Sequence, residues 1–131
     1  MKPHTLLSRS DFKELVFNRD KHTCVFCKNK AVDAHHILDR KLFADGGYYL
    51  DNGASVCESH HWEVEKTNIS VPDVWKSCNI TNHKLPNGYS LKKEYDKWGN
   101  EVVSKFKRIP GEMFYEENVQ KILKDKMHLF Y

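Results

Sequence analysis

The sequence predicts an α+β fold built as one small unit of short strands and helices. Three observations support this prediction. The 131 residues suffice for one hydrophobic core and are too few for two of ordinary size. Hydrophobic residues make up 40% of the chain and aromatic residues 12%, which is too much for a disordered chain. Uninterrupted apolar stretches are only a few residues long, as at Leu15-Val16-Phe17, so neither a membrane span nor a secretory signal is expected.

The first expected element is a helix over residues 11–18. Asp11 is its expected N-cap, and Glu14 three residues later completes a capping box. The apolar face of this helix consists of Phe12, Leu15 and Val16. A helix this short is stable only when that face packs against another element.

The next stretch, residues 23–37, is expected to form a β-hairpin that turns over at residues 28–30. Gly46-Gly47 then marks a tight loop, because glycine adopts backbone angles that other residues avoid. The chain is expected to be extended within residues 48–56.

Helical signals follow this extended stretch. A helix is expected from about Ser59 to before Thr67, which places His61 and Glu65 on one face. Pro72 suits the first turn of another short helix through Cys78.

The C-terminal part continues with a loop over residues 79–90. A turn at residues 98–100 is expected to lead into a strand over residues 102–106. The last expected element is an amphipathic helix over residues 114–127. Its apolar stripe consists of Phe114, Val119, Ile122, Leu123 and Met127.

Two pairs of metal-ligand residues share a two-residue spacing, Cys24-x-x-Cys27 and Cys57-x-x-His60. This spacing lets both side chains of a pair reach one tetrahedral ion from a tight turn. Chance or small buried cysteines would explain either pair alone. Together the four residues predict a structural zinc site that leaves no position for a substrate. Cys78 lies outside both pairs and is expected to be a free or partly buried cysteine.

Further polar residues accompany the zinc pairs in a fixed order: His35-His36, then Asn52, then His61 directly after the last zinc ligand. The motifs are Cys24-x-x-Cys27, Val32-Asp-Ala-His-His-Ile37, Gly46-Gly47, Leu50-Asp-Asn52 and Val56-Cys-Glu-Ser-His-His61. With these motifs the sequence resembles the HNH endonuclease family over roughly residues 10–66. The resemblance implies a small ββα-metal (HNH) core stapled by a structural zinc, with an N-terminal helix and a mixed C-terminal extension ending in a helix.

The resemblance also implies a role for each of these residues. His36 would be the general base that activates water, because histidine accepts a proton near neutral pH. His35 and His61 would hold a catalytic divalent cation, Mg²⁺ or Mn²⁺, which stabilises the leaving 3′-oxygen of a phosphodiester. Asn52 would fix the loop and orient the imidazole of His36.

Two positions depart from the commonest pattern of the family. His35 stands where many members have aspartate, and His60 where many have cysteine. Because imidazole favours later transition metals, Ni²⁺ or Co²⁺ are expected beside Mg²⁺ or Mn²⁺. A second assignment stays open, in which His61 closes the zinc site and His60 binds the catalytic metal. Since adjacent residues of a strand point to opposite faces, His35 and His36 serve one site only if the strand ends or distorts there.

The net charge of +3 permits a polyanionic partner without requiring one, and the basic excess lies in residues 1–50, which carry nine Lys/Arg against six Asp/Glu. The resemblance to the HNH family implies nucleic acid, with DNA favoured, as the partner and substrate, cut or nicked with modest sequence preference. The candidate phosphate contacts are Lys28, Lys30, Arg40 and Lys41. The alternative is a zinc-stabilised nucleic-acid-binding module without turnover, which acts with a repair or RNA-ligase-like partner.

Residues 1–70 are expected to form the nuclease core with its N-terminal helix, and residues 71–131 an extension that packs on the core or docks a partner. This second half resembles a segment of HNH proteins linked to RNA-ligase-like proteins. A ligase-like protein or a second copy of the chain is therefore the expected protein partner, and no membrane is involved. The four cysteines without a signal peptide suggest a reducing, intracellular (cytoplasmic) compartment.

Overall fold

The computed structural model describes residues 3–130. Within this range the helices and two-stranded antiparallel sheets confirm the α+β class. The elements are α1 (Arg9–Arg19), β1 (Asp33–His36), β2 (Gly53–Val56), α2 (Glu58–Glu65), α3 (Val71–Ser77), β3 (Glu101–Ser104), β4 (Lys107–Ile109) and α4 (Glu117–Leu123). Short 3₁₀ segments lie at Arg40–Leu42, Leu50–Asn52, Glu112–Tyr115 and Lys124–Leu129.

Helix α1 begins before the residue that its sequence predicts. Ser8 is the N-cap, and its Oγ accepts a hydrogen bond of 3.1 Å from the Asp11 N–H. Asp11 lies inside the first turn instead, where its negative charge suits the helix dipole. Phe12 and Val16 are buried one turn apart, whereas Leu15 is 42% exposed. The predicted cap and the predicted burial of Leu15 are therefore wrong.

The β-hairpin predicted for residues 23–37 is wrong in its pairing. Its turn closes on itself through a single bridge between Thr23 and Lys30. Strand β1 pairs instead with β2, antiparallel, with His36 opposite Gly53. All residues of β2 are buried, so its backbone groups need a strand partner in place of water.

The end of α1 is fastened to the start of β2. The guanidinium of Arg19 donates to the carbonyl oxygens of Leu50 at 2.9 Å and Gly53 at 2.6 Å. Gly53 allows this close packing, because a Cβ at that position would lie 2.8 Å from Cζ of Phe12. Helix α1 consequently lies against the sheet beside His36.

Helix α2 follows β2 after a single residue, Cys57. This cysteine is the N-cap, and its Sγ accepts the His60 N–H at 3.5 Å. Two antiparallel strands and one helix thus form a compact unit around residues that the sequence marks as metal ligands.

The last predicted helix, over residues 114–127, is interrupted. Glu116 has an extended backbone with ψ of 140°, which separates a 3₁₀ segment from α4. A second 3₁₀ segment then replaces the end of the predicted helix. Phe114, Val119 and Leu123 are nevertheless buried, so the apolar pattern identifies core positions although the helix is shorter.

The strand predicted for residues 102–106 ends early as well. Residues 105 and 106 form the turn between β3 and β4, and Phe106 is exposed there.

One hydrophobic core joins the two halves of the chain, since Ile37 shares a cluster with Val74, Trp98 and Leu123. No helix within residues 3–130 is long and apolar enough to cross a membrane.

Candidate active site and metal centre

Within residues 3–130, two groups of side chains bring metal-ligand atoms together. Cys24, Cys27, Cys57 and His60 form the first group, and their ligand atoms all lie within 4.8 Å of one another. The Sγ atoms of Cys27 and Cys57 are 3.7 Å apart. Nδ1 of His60 lies 3.3 Å from Sγ of Cys57 and 3.6 Å from Sγ of Cys24. A tetrahedral zinc ion with Zn–S bonds of about 2.3 Å places its sulfur ligands about 3.8 Å apart, so the group fits zinc.

The surroundings of Cys24 favour the thiolate that a zinc ion requires. Burial disfavours the charged form, but hydrogen bonds from backbone N–H groups, including those of Cys57, Phe26 and Cys27, outweigh it and lower the pKa of Cys24. Cys78 has a different environment. It is buried in the core, and burial raises its pKa to about 12, so it stays a neutral thiol outside the metal-ligand group.

Asp33, His35 and His61 form the second group, again with ligand atoms within 4.8 Å of one another. Asp33 and His35 alternate along β1 and therefore share a face, while His61 lies in the first turns of α2. Oδ2 of Asp33 is 3.3 Å from Nδ1 of His35 and 3.0 Å from Nδ1 of His61. Nε2 of His35 is buried and has no hydrogen-bond partner within the described residues. One carboxylate and two imidazoles make a ligand set that suits a divalent transition metal.

His61 is flanked by a carboxylate at each ring nitrogen. Asp33 contacts Nδ1, and Oε1 of Glu65 lies 3.6 Å from Nε2. Hydrogen bonds to these two carboxylates raise the pKa of His61 to about 9. Hydrogen bonds to His35 and His61 hold the pKa of Asp33 well below its usual range. At neutral pH His61 is therefore a cation, and a metal ion binding there must displace its proton.

His36 is the last residue of β1, and its ring is enclosed by aromatic side chains. It stacks on Phe12 with centroids 4.7 Å apart and meets the ring of Tyr48 edge to face at 4.7 Å. Burial, and next the charge of Lys97, lower the pKa of His36 to about 4, so the ring is neutral at pH 7. Its Nε2 is buried without a hydrogen-bond partner in the described part of the chain. A neutral imidazole can accept a proton.

Asn52 is fully buried and braces the loop between the two strands. Its Oδ1 accepts the Leu38 N–H at 3.0 Å, and its Nδ2 donates to the carbonyls of Leu38 at 3.0 Å and Gly47 at 3.1 Å. These bonds join the chain just after β1 to the glycine loop. They go to backbone atoms and do not include the imidazole of His36, which Phe12 and Tyr48 hold.

A cleft of about 410 Å³ contains both the second metal-ligand group and His36. His35 and His36 both line it, since β1 ends at His36. The basic residues that line the cleft are Arg9, Lys13, Arg40 and Lys97. Of the predicted phosphate contacts, Arg40 is thus at the cleft. Lys41 lies 2.9 Å from Glu116, and Lys28 and Lys30 are exposed on the turn of the zinc group.

No protein-family model, curated protein or solved structure matches this chain. The interpretation of the site therefore depends on the contacts of its own residues. Sequence reasoning missed two of them. Asp33 could have been found, because a residue two positions before His35 on a strand shares its face. Lys97 contacts His36 across 61 positions of sequence, and no local pattern marks it.

Proposed function

We propose that the protein is a metal-dependent endonuclease of the HNH type that hydrolyses phosphodiester bonds in DNA. The observation that supports this proposal is one cleft that contains both the Asp33, His35 and His61 group and the neutral imidazole of His36, with Arg9, Lys13 and Arg40 also on its lining. A metal-ligand group alone would be as consistent with a structural role as with a catalytic one. A proton acceptor beside it and basic side chains around it suit the hydrolysis of a polyanion.

In the proposed reaction, a water oxygen forms a bond to phosphorus while the bond from phosphorus to the 3′-oxygen breaks. His36 accepts the proton that the water loses, and solvent protonates the leaving oxygen. The approaching phosphate is negative and raises the pKa of His36 towards neutral pH. His36 is therefore a stronger base once the substrate is bound. A divalent cation held by Asp33, His35 and His61 would supply Lewis-acid stabilisation of the charge on the phosphate and the leaving oxygen. Arg40 contributes charge that attracts the nucleic-acid backbone.

The two metal-ligand groups have different tasks in this proposal. Cys24, Cys27, Cys57 and His60 would hold zinc and keep the cysteine turn against the start of α2, from which His61 projects. Asp33, His35 and His61 would hold the catalytic cation. Because this group contains two imidazoles, we expect Mn²⁺, Co²⁺ and Ni²⁺ to support activity as well as Mg²⁺.

Incubation of the purified protein with supercoiled plasmid tests the proposal. We expect nicked or linear DNA with at least one of Mg²⁺, Mn²⁺, Co²⁺ and Ni²⁺. His36→Ala should lower the rate about 100-fold or more, because a general base contributes about 10²–10⁴-fold. His128→Ala, which lies outside both metal-ligand groups, is the matched control and should cut like the unaltered protein.

Equal cutting by His36→Ala and the unaltered protein would contradict the assignment of the base. If neither DNA nor RNA is cut with any of these metals, the nuclease proposal is wrong.

A second candidate function is a zinc-stabilised module that binds nucleic acid for a repair or RNA-ligase-like partner. The observation that favours it is the environment of His61, whose Nδ1 contacts Asp33 and whose Nε2 contacts Glu65, contacts that a purely structural role of this histidine also explains. This alternative predicts equal gel-shift binding of DNA or RNA by the unaltered protein and by His36→Ala, with no cutting by either.

A further inference from the structure

Lys97 is a buried lysine that reaches the candidate active site from the second half of the chain. Its side chain is only 5% exposed, and Nζ lies 3.4 Å from Oδ1 of Asp39 and 4.0 Å from Oε2 of Glu65. Nζ also donates a hydrogen bond of 3.2 Å to the carbonyl oxygen of His36. The backbone carbonyl of Lys97 accepts the Asp39 N–H at 3.0 Å. Lys97 therefore contacts the end of β1 through its side chain and the segment just after β1 through its backbone.

The turn that carries Lys97 is closed by internal hydrogen bonds. Asp96 is fully buried, and its Oδ1 accepts the N–H groups of Trp98 and Asn100, each at 3.0 Å. Its Oδ2 accepts Nδ2 of Asn100 at 3.0 Å. The indole Nε1 of Trp98 donates to the carbonyl of Glu65 at 2.7 Å, which ties the turn to the end of α2. Lys97 is thus fixed relative to both the strand and the helix that carry the candidate site.

A buried cation at this place is difficult to explain by stability alone. Burying a charge is costly, and an apolar side chain of similar size often stabilises a core as well or better than a buried ion pair. Most lysines lie at the surface for this reason. The ammonium group of Lys97 is buried at the point where it donates a hydrogen bond to the backbone carbonyl of His36, the candidate base.

We propose that Lys97 is a positioning residue of the candidate active site, whose hydrogen bond to the His36 carbonyl fixes the end of β1 and thereby the His36 ring. The proposal rests on the nuclease function proposed above, because it concerns the same site. In this proposal the second half of the chain contributes to the candidate active site through the turn of residues 95–100.

Plasmid nicking by Lys97 variants tests this role. Lys97→Met keeps an unbranched side chain but loses the donor and the charge, and should lower kcat at least tenfold with KM changed less than twofold. Lys97→Arg keeps a cationic donor and should recover most of the lost kcat. Lys121→Met is the matched control, because Lys121 is an exposed lysine with a carboxylate partner, Glu117 at 3.4 Å. It should cut like the unaltered protein.

A second measurement does not depend on activity. Nuclear Overhauser contacts between the His36 ring and the rings of Phe12 and Tyr48 should weaken in Lys97→Met and persist in Lys97→Arg and Lys121→Met. If Lys97→Met does not fold, Lys97→Gln replaces it with the same expected results, because its shorter side chain withdraws the donor from the His36 carbonyl.

The two proposals fail in different ways. A protein that never cuts nucleic acid contradicts the nuclease function, while the ring contacts still report on Lys97. Unchanged His36 contacts in the variant that lacks the donor, or nicking equal to that of the unaltered protein, would overturn the positioning role.

Discussion

The environment of His61 determines how the second metal-ligand group responds to pH. Its ring lies between the carboxylates of Asp33 and Glu65, and its pKa is about 9. The pKa of His35 is about 4, because burial and then the charge of Lys97 disfavour its cationic form. At neutral pH, therefore, His61 carries a proton that competes with a metal ion and His35 does not.

We expect divalent cations to bind more tightly as the pH rises towards 9. Below that pH the ion must displace the proton of His61, so the Kd should fall by up to about tenfold for each pH unit gained. Above pH 9 the dependence should level off, since His61 is then neutral before binding. Calorimetric titration with Mn²⁺ at pH 7, in two buffers of different ionisation enthalpy, should show close to one proton released per ion.

Asp33→Asn provides the internal check on this prediction. It removes the carboxylate at Nδ1 of His61, so both the Mn²⁺ affinity and the proton release should fall. Asp125→Asn changes an exposed aspartate outside both metal-ligand groups and should alter neither. Binding that is independent of pH in the unaltered protein would show that His61 is not a ligand.

Residue contacts were predictable from the sequence where the residues are close along the chain or share a fixed spacing. The spacing of Cys24, Cys27, Cys57 and His60 predicts one four-ligand group, and the structure confirms that these side chains meet. Lys97 could not be predicted, because its contact with the strand depends on how the second half folds back on the first.

At the level of elements, α1 and β2 are in unusually close contact at Gly53. Its φ is −125°, an ordinary strand value, so glycine is not needed there for backbone conformation. It is needed for space, because Phe12 and Val16 occupy the volume that a Cβ would take. The ring of Phe12 in turn stacks on His36.

Gly53→Ala is expected to lower the free energy of unfolding by about 1–3 kcal/mol, the usual cost of overpacking a core. The added methyl group must push Phe12 away, and the stacking partner of His36 moves with it. Urea unfolding measures the loss of stability. A lower nicking rate at a temperature where the variant is still folded measures the effect on His36.

Gly88→Ala is the control for the effect on His36, because it strains the backbone but should leave the nicking rate of the folded protein unchanged. A Cβ at Gly88 meets nothing within 4 Å, although its φ of 86° adds strain of its own, about 1–2 kcal/mol. A variant at Gly53 that is as stable as the unaltered protein would contradict the packing explanation.

Helices were easier to predict than strand partners. The start of α2 and the position of α3 follow from local signals, the residues after Cys57 and the proline at position 72. The partner of β1 does not, because β2 reaches it only across a long loop that Asn52 braces. The predicted hairpin paired β1 with the nearer segment, residues 23–30. This segment forms the turn that carries Cys24 and Cys27 instead.

At the scale of the whole molecule, the Cys24, Cys27, Cys57 and His60 group and the shared core both connect distant parts of the chain. The four side chains bring the cysteine turn against α2, and side chains from both halves pack in one hydrophobic cluster. A metal ion bound by these four side chains would add its binding free energy to the stability of the fold. We therefore expect metal loss to affect the whole chain and not the turn alone.

Cys57→Ala should abolish zinc binding and cooperative thermal unfolding, because it removes a ligand and the N-cap of α2 together. Elemental analysis is expected to find one zinc per chain in the unaltered protein and almost none in this variant. Cys78→Ala removes a buried sulfur that lies outside the metal-ligand group. It should retain zinc and unfold cooperatively, and equal zinc content in both variants would contradict the assignment.

His60 and His61 are neighbours on α2, yet one meets the thiolates and the other meets Asp33. Successive residues of a helix project about 100° apart, so one helical step separates the two metal-ligand groups. A rotation of α2 would carry both imidazoles away from their partners at once. The ligand distances in the two groups are therefore coupled. A movement of α2 that changes the position of His61 relative to Asp33 also changes the position of His60 relative to the cysteines.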